Sequence, residues 1–315
     1  MALPTTNCSL SDIADEYSNT ILFSKPHSFS EYSNQGSFQT LINNPPVHDG
    51  IRKLRTINGS RFSVLFFEQN STWQVPLHVT EISCVLIGGG GGGGIYGTTA
   101  STSTIQQTGP GGGGGGGVLE STIAVTPGTQ YNFTIGQGGA VGPYRYRWSE
   151  PGGDTIAFGL TAYGGGGGGN VESMAKSSNG SGGGGSASKT WNFAGSYNDN
   201  IYSPGSGGSQ GYGGGTAGSS SINYKGGGGG GGAGGKGGDM TTYYSFPVAG
   251  VGGPGKAINI AGPDDIVTYA GGGGGYAYPY GTAAGGAGSE NAGGGGSVGS
   301  AGKNGLIIVR YLLPA

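Results

Sequence analysis

Five uninterrupted glycine runs, at 88–94, 111–117, 164–169, 226–232 and 271–275, constrain this chain more than any other feature. Ordering a residue costs about 1–2 kcal/mol of backbone entropy, and glycine loses more than any other type. A flexible linker avoids that cost by staying disordered and is usually serine-diluted and featureless. Here the runs are nearly pure and recur, and the segments between them carry Tyr, Trp, Phe and Pro. Collagen is excluded, because its third-position rule needs two side-chain-bearing residues between glycines. Another threefold helix remains: extended left-handed polyglycine, which rises ~3.1 Å per residue and makes no internal hydrogen bonds. Its N–H and C=O groups point outward, and without Cβ atoms several such rods can bond side by side, helped by Cα–H···O contacts. At a net ~0.5–1.5 kcal/mol per bond, one rod cannot offset its own ordering entropy. A bundle with an external clamp is expected.

Residues 61–69, 72–87, 118–125, 130–135, 155–160 and 305–313 read as strands, rich in β-branched and aromatic residues and bounded by turns such as Pro127-Gly128. Alternation within 77–87 puts Ile82, Cys84 and Leu86 on one face and Val79, Val85 and Ile87 on the other, with few charges on either. Both faces are therefore expected to be covered, as in a β-sandwich. Ile87 runs into Gly88, and Gly117 runs out into Val118, so strands and glycine rods read as collinear. The expected fold is mainly β: an antiparallel β-sandwich continued by a bundle of polyglycine type II helices, spanning residues 58–315.

A net charge of -2 with 10% charged residues excludes the basic patch that a nucleic-acid or anionic-membrane partner requires. Cys8 and Cys84 form no CxxC pair, so neither a disulfide framework nor a zinc site is expected, and Cys84 reads as a small buried apolar residue. The opening MALPTTNCSLSDIADEY has no basic n-region and no apolar h-region, so no secretory signal is expected. Arg310 interrupts the longest C-terminal apolar run, and nothing approaches the ~20 residues of a membrane span.

Catalytic patterns are weak. His27, His48 and His78 are scattered. Matches to GxGxxG arise only because glycine is everywhere, and none opens a helix after a strand. Lys236, Lys256 and Lys303 follow glycine but precede Gly, Ala and Asn, where a Walker A loop needs Ser or Thr to reach magnesium. Asp239, Asp264 and Asp265 lie near glycine turns without the repeat spacing of calcium-binding β-rolls. No enzyme activity, cofactor or metal is expected, although a carboxylate pair converging in space is invisible in sequence.

Residues 1–40 are almost free of glycine and repeat a short pattern, SLSDIADEYSN then SFSEYSN. Ser28 with Glu31, and Ser9 with Asp12, have capping-box spacing, so each copy starts a short helix that carries Leu10, Ile13 and Tyr17, or Phe29 and Tyr32. Neither buries enough to fold alone. Two readings stand: a docking segment that orders on a partner, or helices packed on the chain's own sandwich. Residues 41–60, with Asn43-Asn44-Pro45-Pro46, read as a connector.

The opening pair SLSDI and SFSEY is similar to the N-termini of many tailed-bacteriophage virion proteins. TWQVPLHVTEISCVLIGGGGGGG, PGTQYNFTIGQGG, DTIAFGLTAYGGGGGG and GLIIVRY together resemble the glycine-rich domain of phage tail-fibre proteins. They also resemble, more loosely, the tip adhesins of T-even-like long tail fibres, whose glycine runs form a polyglycine sandwich presenting variable loops. The resemblance implies a virion location after assembly in a host cytoplasm. It also implies attachment to other virion proteins through residues 1–57 by Leu10, Ile13, Tyr17, Phe29 and Tyr32.

Aromatic content alternates between the loops. The rich ones hold Tyr144, Tyr146 and Trp148; Trp191, Phe193, Tyr197 and Tyr202; Tyr243, Tyr244 and Phe246; and Tyr276, Tyr278 and Tyr280. Loops 95–110, 170–181, 216–225 and 257–270 carry at most one aromatic each. If the rods run up and down, alternate loops fall at opposite ends and the aromatics collect at one of them. Tyr and Trp give large contact area at low entropic cost, which suits a recognition surface, and host surface polysaccharide or an outer-membrane protein fits as partner. The alternatives are a purely structural shell, sheath or decoration protein, with rings between subunits of a homo-oligomer, and an ice-binding protein. The tyrosine-rich loops count against the last.

Overall fold

The computed structural model describes residues 51–57, 60–95, 107–142, 149–170, 173–191, 197–221, 224–286 and 288–314. Leu10, Ile13, Tyr17, Phe29 and Tyr32, expected to attach the chain to a particle, and Tyr144, Tyr146, Trp148 and Phe193 lie outside them, as do Cys8, His27 and His48. The described part is mainly β, with no helix and no closed barrel, and its paired strands are antiparallel.

The strands group by place in the chain. Before the first glycine run come β1 (Ile51–Ile57), β2 (Ser60–Phe67), β3 (Ser71–Gln74) and β4 (Glu81–Ile87). Around the second and third runs lie β5 (Gln107–Gly109), β6 (Val118–Ala124), β7 (Gln130–Phe133), β8 (Thr155–Ala157) and β9 (Leu160–Ala162). Short strands follow: β10 (Ser186–Trp191), β11 (Tyr197–Tyr202), β12 (Gly218–Ser221), β13 (Tyr224–Gly226), β14 (Thr241–Tyr243) and β15 (Phe246–Val248). The last are β16 (Lys256–Ile258), β17 (Val267–Tyr269), β18 (Tyr276–Tyr278), β19 (Gly281–Thr282) and β20 (Leu306–Leu312).

The largest sheet has the order β1-β2-β20-β4-β6, so the C-terminal strand sits at its centre. The glycine-rich region is therefore two excursions from the sheet, one from β4 to β6 and a longer one from β6 to β20. On one face Leu65, Phe67, Ile82, Cys84, Leu86, Ile307 and Val309 meet Trp73, Val75, Phe133 and Ile135, from and beside the β3–β7 pair, with Ala157 and Ala162 of β8–β9. Phe133 stands edge-on to Phe67 at 4.8 Å and to Phe158 at 5.1 Å; each such pair adds ~0.5–1.5 kcal/mol beyond burial. On the other face Val64, Val85, Ile87, Leu306 and Ile308 pack against Ile258, Ile260 and Tyr269 at the β16–β17 hairpin. Covering on both sides is what these charge-poor strands require.

Three segments depart from their expected form. The single strand expected over 72–87 divides into β3 and β4, because Pro76 lacks the N–H a ladder needs and its carbonyl accepts the Val79 N–H in a turn at 3.0 Å. Val79 thereby joins Ile82, Cys84 and Leu86 in one cluster instead of facing away from them. The strand expected over 155–160 is instead half of a hairpin, turned by Phe158 at φ 54 and Gly159 at φ 75, the twist that matches paired strands. Residues 51–57, read as connector, form the edge strand β1, paired with β2 from Ile51↔Phe66 to Ile57↔Ser60.

The glycine runs belong to no ladder, yet their backbone groups are bonded with a period of three. In 88–94, Gly88, Gly91 and Gly94 donate to Gly117, Gly114 and Gly111; Gly89 and Gly92 donate to Gly153 and Glu150; Gly90 and Gly93 donate to Lys303 and Ser300. Carbonyls of the same run accept from Gly139, from Gly165 and Gly168, and from Gly296 and Gly299. Successive residues thus face different neighbours, and one run is bonded to segments on six sides. Run 111–117 likewise donates to 163–169, 226–232 and 293–296 and accepts from 88–94, 181–185 and 271–275. A Cβ built at any position of 88–94 lands 2.1–2.4 Å from a backbone oxygen of another segment. Threefold bonding leaves no residue facing open space, which is why the glycine is uninterrupted.

Candidate functional site

Gly88, Gly117 and Gly305 adjoin β4, β6 and β20, so those ends of the runs lie at the large sheet. The opposite ends are tied by Gly94 to Gly111, Gly111 to Gly169 and Gly169 to Gly184. There the chain forms several of its short hairpins. β11-β10-β5 make one small sheet, β12-β13-β18-β19 another, and β14–β15 a third, with β13 in contact with β5, β10 and β15.

Three of the loops expected at the opposite end share this one. β5, from 95–110, pairs with β10; β13, reached from 216–225, pairs with β18; and the hydroxyl of Ser186 donates to the carbonyls of Asn170 and Ser173. Of the four, 257–270 lies at the large sheet, in its apolar cluster. The expectation miscounts because segments of mixed composition also run as rods. Gly183 donates to Lys176, Gly238 to Val251, Gly252 to Ala284 and Lys303 to Gly294, so alternation counted from pure glycine runs misses several passes.

The hairpin end carries a ring cluster. Tyr224, Phe246 and Tyr280 form a triangle with centroids 5.7, 5.3 and 6.0 Å apart. They come from β13, β15 and the β18–β19 turn, so three hairpins must fold to assemble it. Phe246 is 44% and Tyr280 55% exposed, and Tyr243 and Tyr244 beside them are 66% and 80% exposed, packed edge-on at 4.5 Å. Tyr244 and Ser245 turn β14–β15 at φ 46 and 69, where Asn-Gly is the easy solution. Non-glycine residues there cost on the order of 1–3 kcal/mol each. Tyr276, Tyr278 and Tyr202 are half-buried, and Trp191 and Tyr197 are register partners at the end of β10–β11 next to the segment that connects them. Tyr224 was not singled out in the sequence, because it is the lone ring of a loop otherwise poor in aromatics. Only the β13–β18 pairing brings it to the others.

Beneath the rings, Lys225 is wholly buried, its ammonium 2.8 Å from Asp199 Oδ1 and 2.7 Å from the Ser219 hydroxyl. The pair ties β13 to β11 and β12. Asp239, whose carboxyl is held below its ordinary value first by the Thr216 N–H, accepts from Lys236 at 3.2 Å. Burial, followed by a hydrogen bond with Tyr224, pushes the Tyr280 phenol above its ordinary range. The ion pairs described at this end, Lys225 with Asp199 and Lys236 with Asp239, are internally neutralised.

The other polar candidates do not converge. Lys256 pairs with Glu120 at 2.9 Å and Lys303 with Glu290 at 3.5 Å. Asp264 and Asp265 lie in the turn before β17, far along the chain from Asp239 and at the other end of the rods. Exposed His78 sits near Tyr311 at 6.2 Å, in an open depression that also takes in Glu81 and Arg310. Among the described residues no cluster of His, Cys, Asp and Glu is placed to hold a metal ion, and no helix is long and apolar enough to cross a membrane. No curated protein matches the chain. The glycine-rich domain family matches residues 66–312, from β2 to the end of β20. That span takes in the sheet, the runs and every described hairpin between them, and the chain belongs to the glycine-rich domain family.

Proposed function

We propose that this chain is a non-enzymatic surface-recognition protein, a phage tail-fibre or tip adhesin, in which the segment before β1 attaches to the particle and the hairpin end binds the host surface. In this reading the layered sheets are a β-sandwich, and the six-sided, period-three bonding is that of a polyglycine II bundle clamped by it. The observation that carries the proposal is the exposed ring cluster on strained hairpin turns. Exposing Tyr243, Tyr244 and Tyr280 and holding Tyr244 at positive φ both oppose folding, so a benefit outside folding is the simplest account. Loops on a rigid scaffold are the usual place for such a benefit.

Labelled full-length chain, screened against intact cells of a panel of bacterial strains, should bind a subset of them and compete with adsorption of the phage that carries it. Tyr243→Ala with Tyr244→Ala should remove binding while leaving the melting temperature unchanged. If no strain is bound and adsorption is undisturbed, the recognition role is wrong.

A further inference from the structure

The planes of Tyr224, Phe246 and Tyr280 meet at 67°, 42° and 72°. Rings set at such angles make a faceted surface, and none lies flush with its neighbour. A protein partner of standard interface size covers ~800 Å² per side and favours a continuous packed centre. Facets suit a ligand built of small units, each with an apolar face and a polar rim.

Sugar rings have that form. Their C–H bonds gather on one face and their hydroxyls lie around the edge, matching the apolar body and hydrogen-bonding tip of tyrosine. Tyr224, Tyr243, Tyr244 and Tyr280 put four phenol groups at or beside the triangle. The charges point the same way: Lys225 is buried against Asp199, and Lys236 holds Asp239. Recognition of a phosphate or uronate calls for a cation aimed at it, and these two lysines are committed elsewhere.

We infer that the ring cluster binds an uncharged carbohydrate of the cell surface, exposed rings stacking on the apolar faces of successive sugars; this rests on the surface-recognition reading above. Cells of a strain bound by the full-length chain are treated with periodate, which cleaves sugar vicinal diols, or in parallel with a broad protease. Binding should fall after periodate, survive protease, and stay level between about 50 and about 500 mM salt, because the stacking contacts carry no charge to be screened. Tyr280→Ala should weaken binding to polysaccharide extracted from that strain by at least about tenfold, and Tyr280→Phe by much less. If Tyr280→Ala melts early, Tyr244→Ala replaces it, since that ring is 80% exposed. Binding that resists periodate but is lost to protease overturns the carbohydrate assignment and leaves the recognition reading standing. Binding to no strain sinks the recognition reading itself. Retention of polysaccharide binding by a folded Tyr280→Ala or Tyr244→Ala chain removes the rings from the site.

Discussion

Gly113→Ala tests the packing of the glycine region most sharply. Its Cβ would lie 2.2 Å from the carbonyl oxygen of Gly91 and 2.8 Å from that of Gly92. Both atoms are backbone, so no rotamer change relieves the clash, and the two rods must part by about 1 Å to reach ordinary contact. That movement carries the 2.8 Å bonds Gly91 to Gly114 and Gly94 to Gly111 beyond hydrogen-bonding range. Each buried group left unpaired costs about 1–3 kcal/mol, and overpacking adds about 1–3 kcal/mol. The total is about 4 kcal/mol or more, equivalent to a melting temperature lower by about 10 °C in a protein of this size. Gly213→Ala is the comparison: its Cβ meets nothing closer than 3.5 Å, and its φ is not positive. There the loss of unfolded-state freedom should stabilise by about 0.4–1 kcal/mol. The two variants are compared by calorimetry or denaturant unfolding of the full chain. Equal, small effects would mean that the runs are not packed against one another, and the reasoning would fail.

Other consequences are testable separately. Amides of Gly91, Gly113 and Gly230, each bonded to another run, should exchange orders of magnitude more slowly than the exposed turn at Tyr244 and Ser245; uniform fast exchange would contradict the lateral bonding. Asp199→Ala strands the Lys225 ammonium without its carboxylate and should destabilise by about 1–3 kcal/mol, discounted because Asp199 is 43% exposed. Lys225→Met, keeping the volume and removing the charge, should cost less, and the reverse order would refute the account. Burial raises the Cys84 thiol from 9.0 to about 11. Its contribution is therefore fully present below pH 9 and is lost as pH rises toward 11, by on the order of 2–3 kcal/mol. Cys84→Ala should flatten that alkaline loss, and thiol reagents should leave native Cys84 unmodified.

The large sheet was legible in the sequence because its signals are local. Ile82 to Ile87 is largely apolar, uncharged and rich in β-branched residues, and Leu306 to Leu312 is apolar apart from Arg310 at the other end of the chain. The hairpins were not legible, because their pairing is fixed by rods that bring distant segments together. Nothing local in 216–225 announces that Tyr224 meets Tyr280, and nothing in 107–109 announces a partner at 187–189. Composition marked the glycine runs but hid passes such as 176–185 and 249–255, which carry side chains, among them half-buried Lys176 and exposed Ser177 and Val251. The ends of the runs were therefore misassigned for loops 95–110, 170–181 and 216–225, and the contact of Phe246 with Tyr280 is visible only in the fold.

The rods join the sheet to the hairpins, so a pull applied between those two ends runs parallel to the chain in every pass. Bonds such as Gly88 to Gly117, Gly91 to Gly114 and Gly94 to Gly111 lie across that direction. They are loaded in shear and share the force, whereas a single hairpin peels open one bond at a time. A region bonded in this way resists tension by the number of its cross-ties and not by the strength of any one.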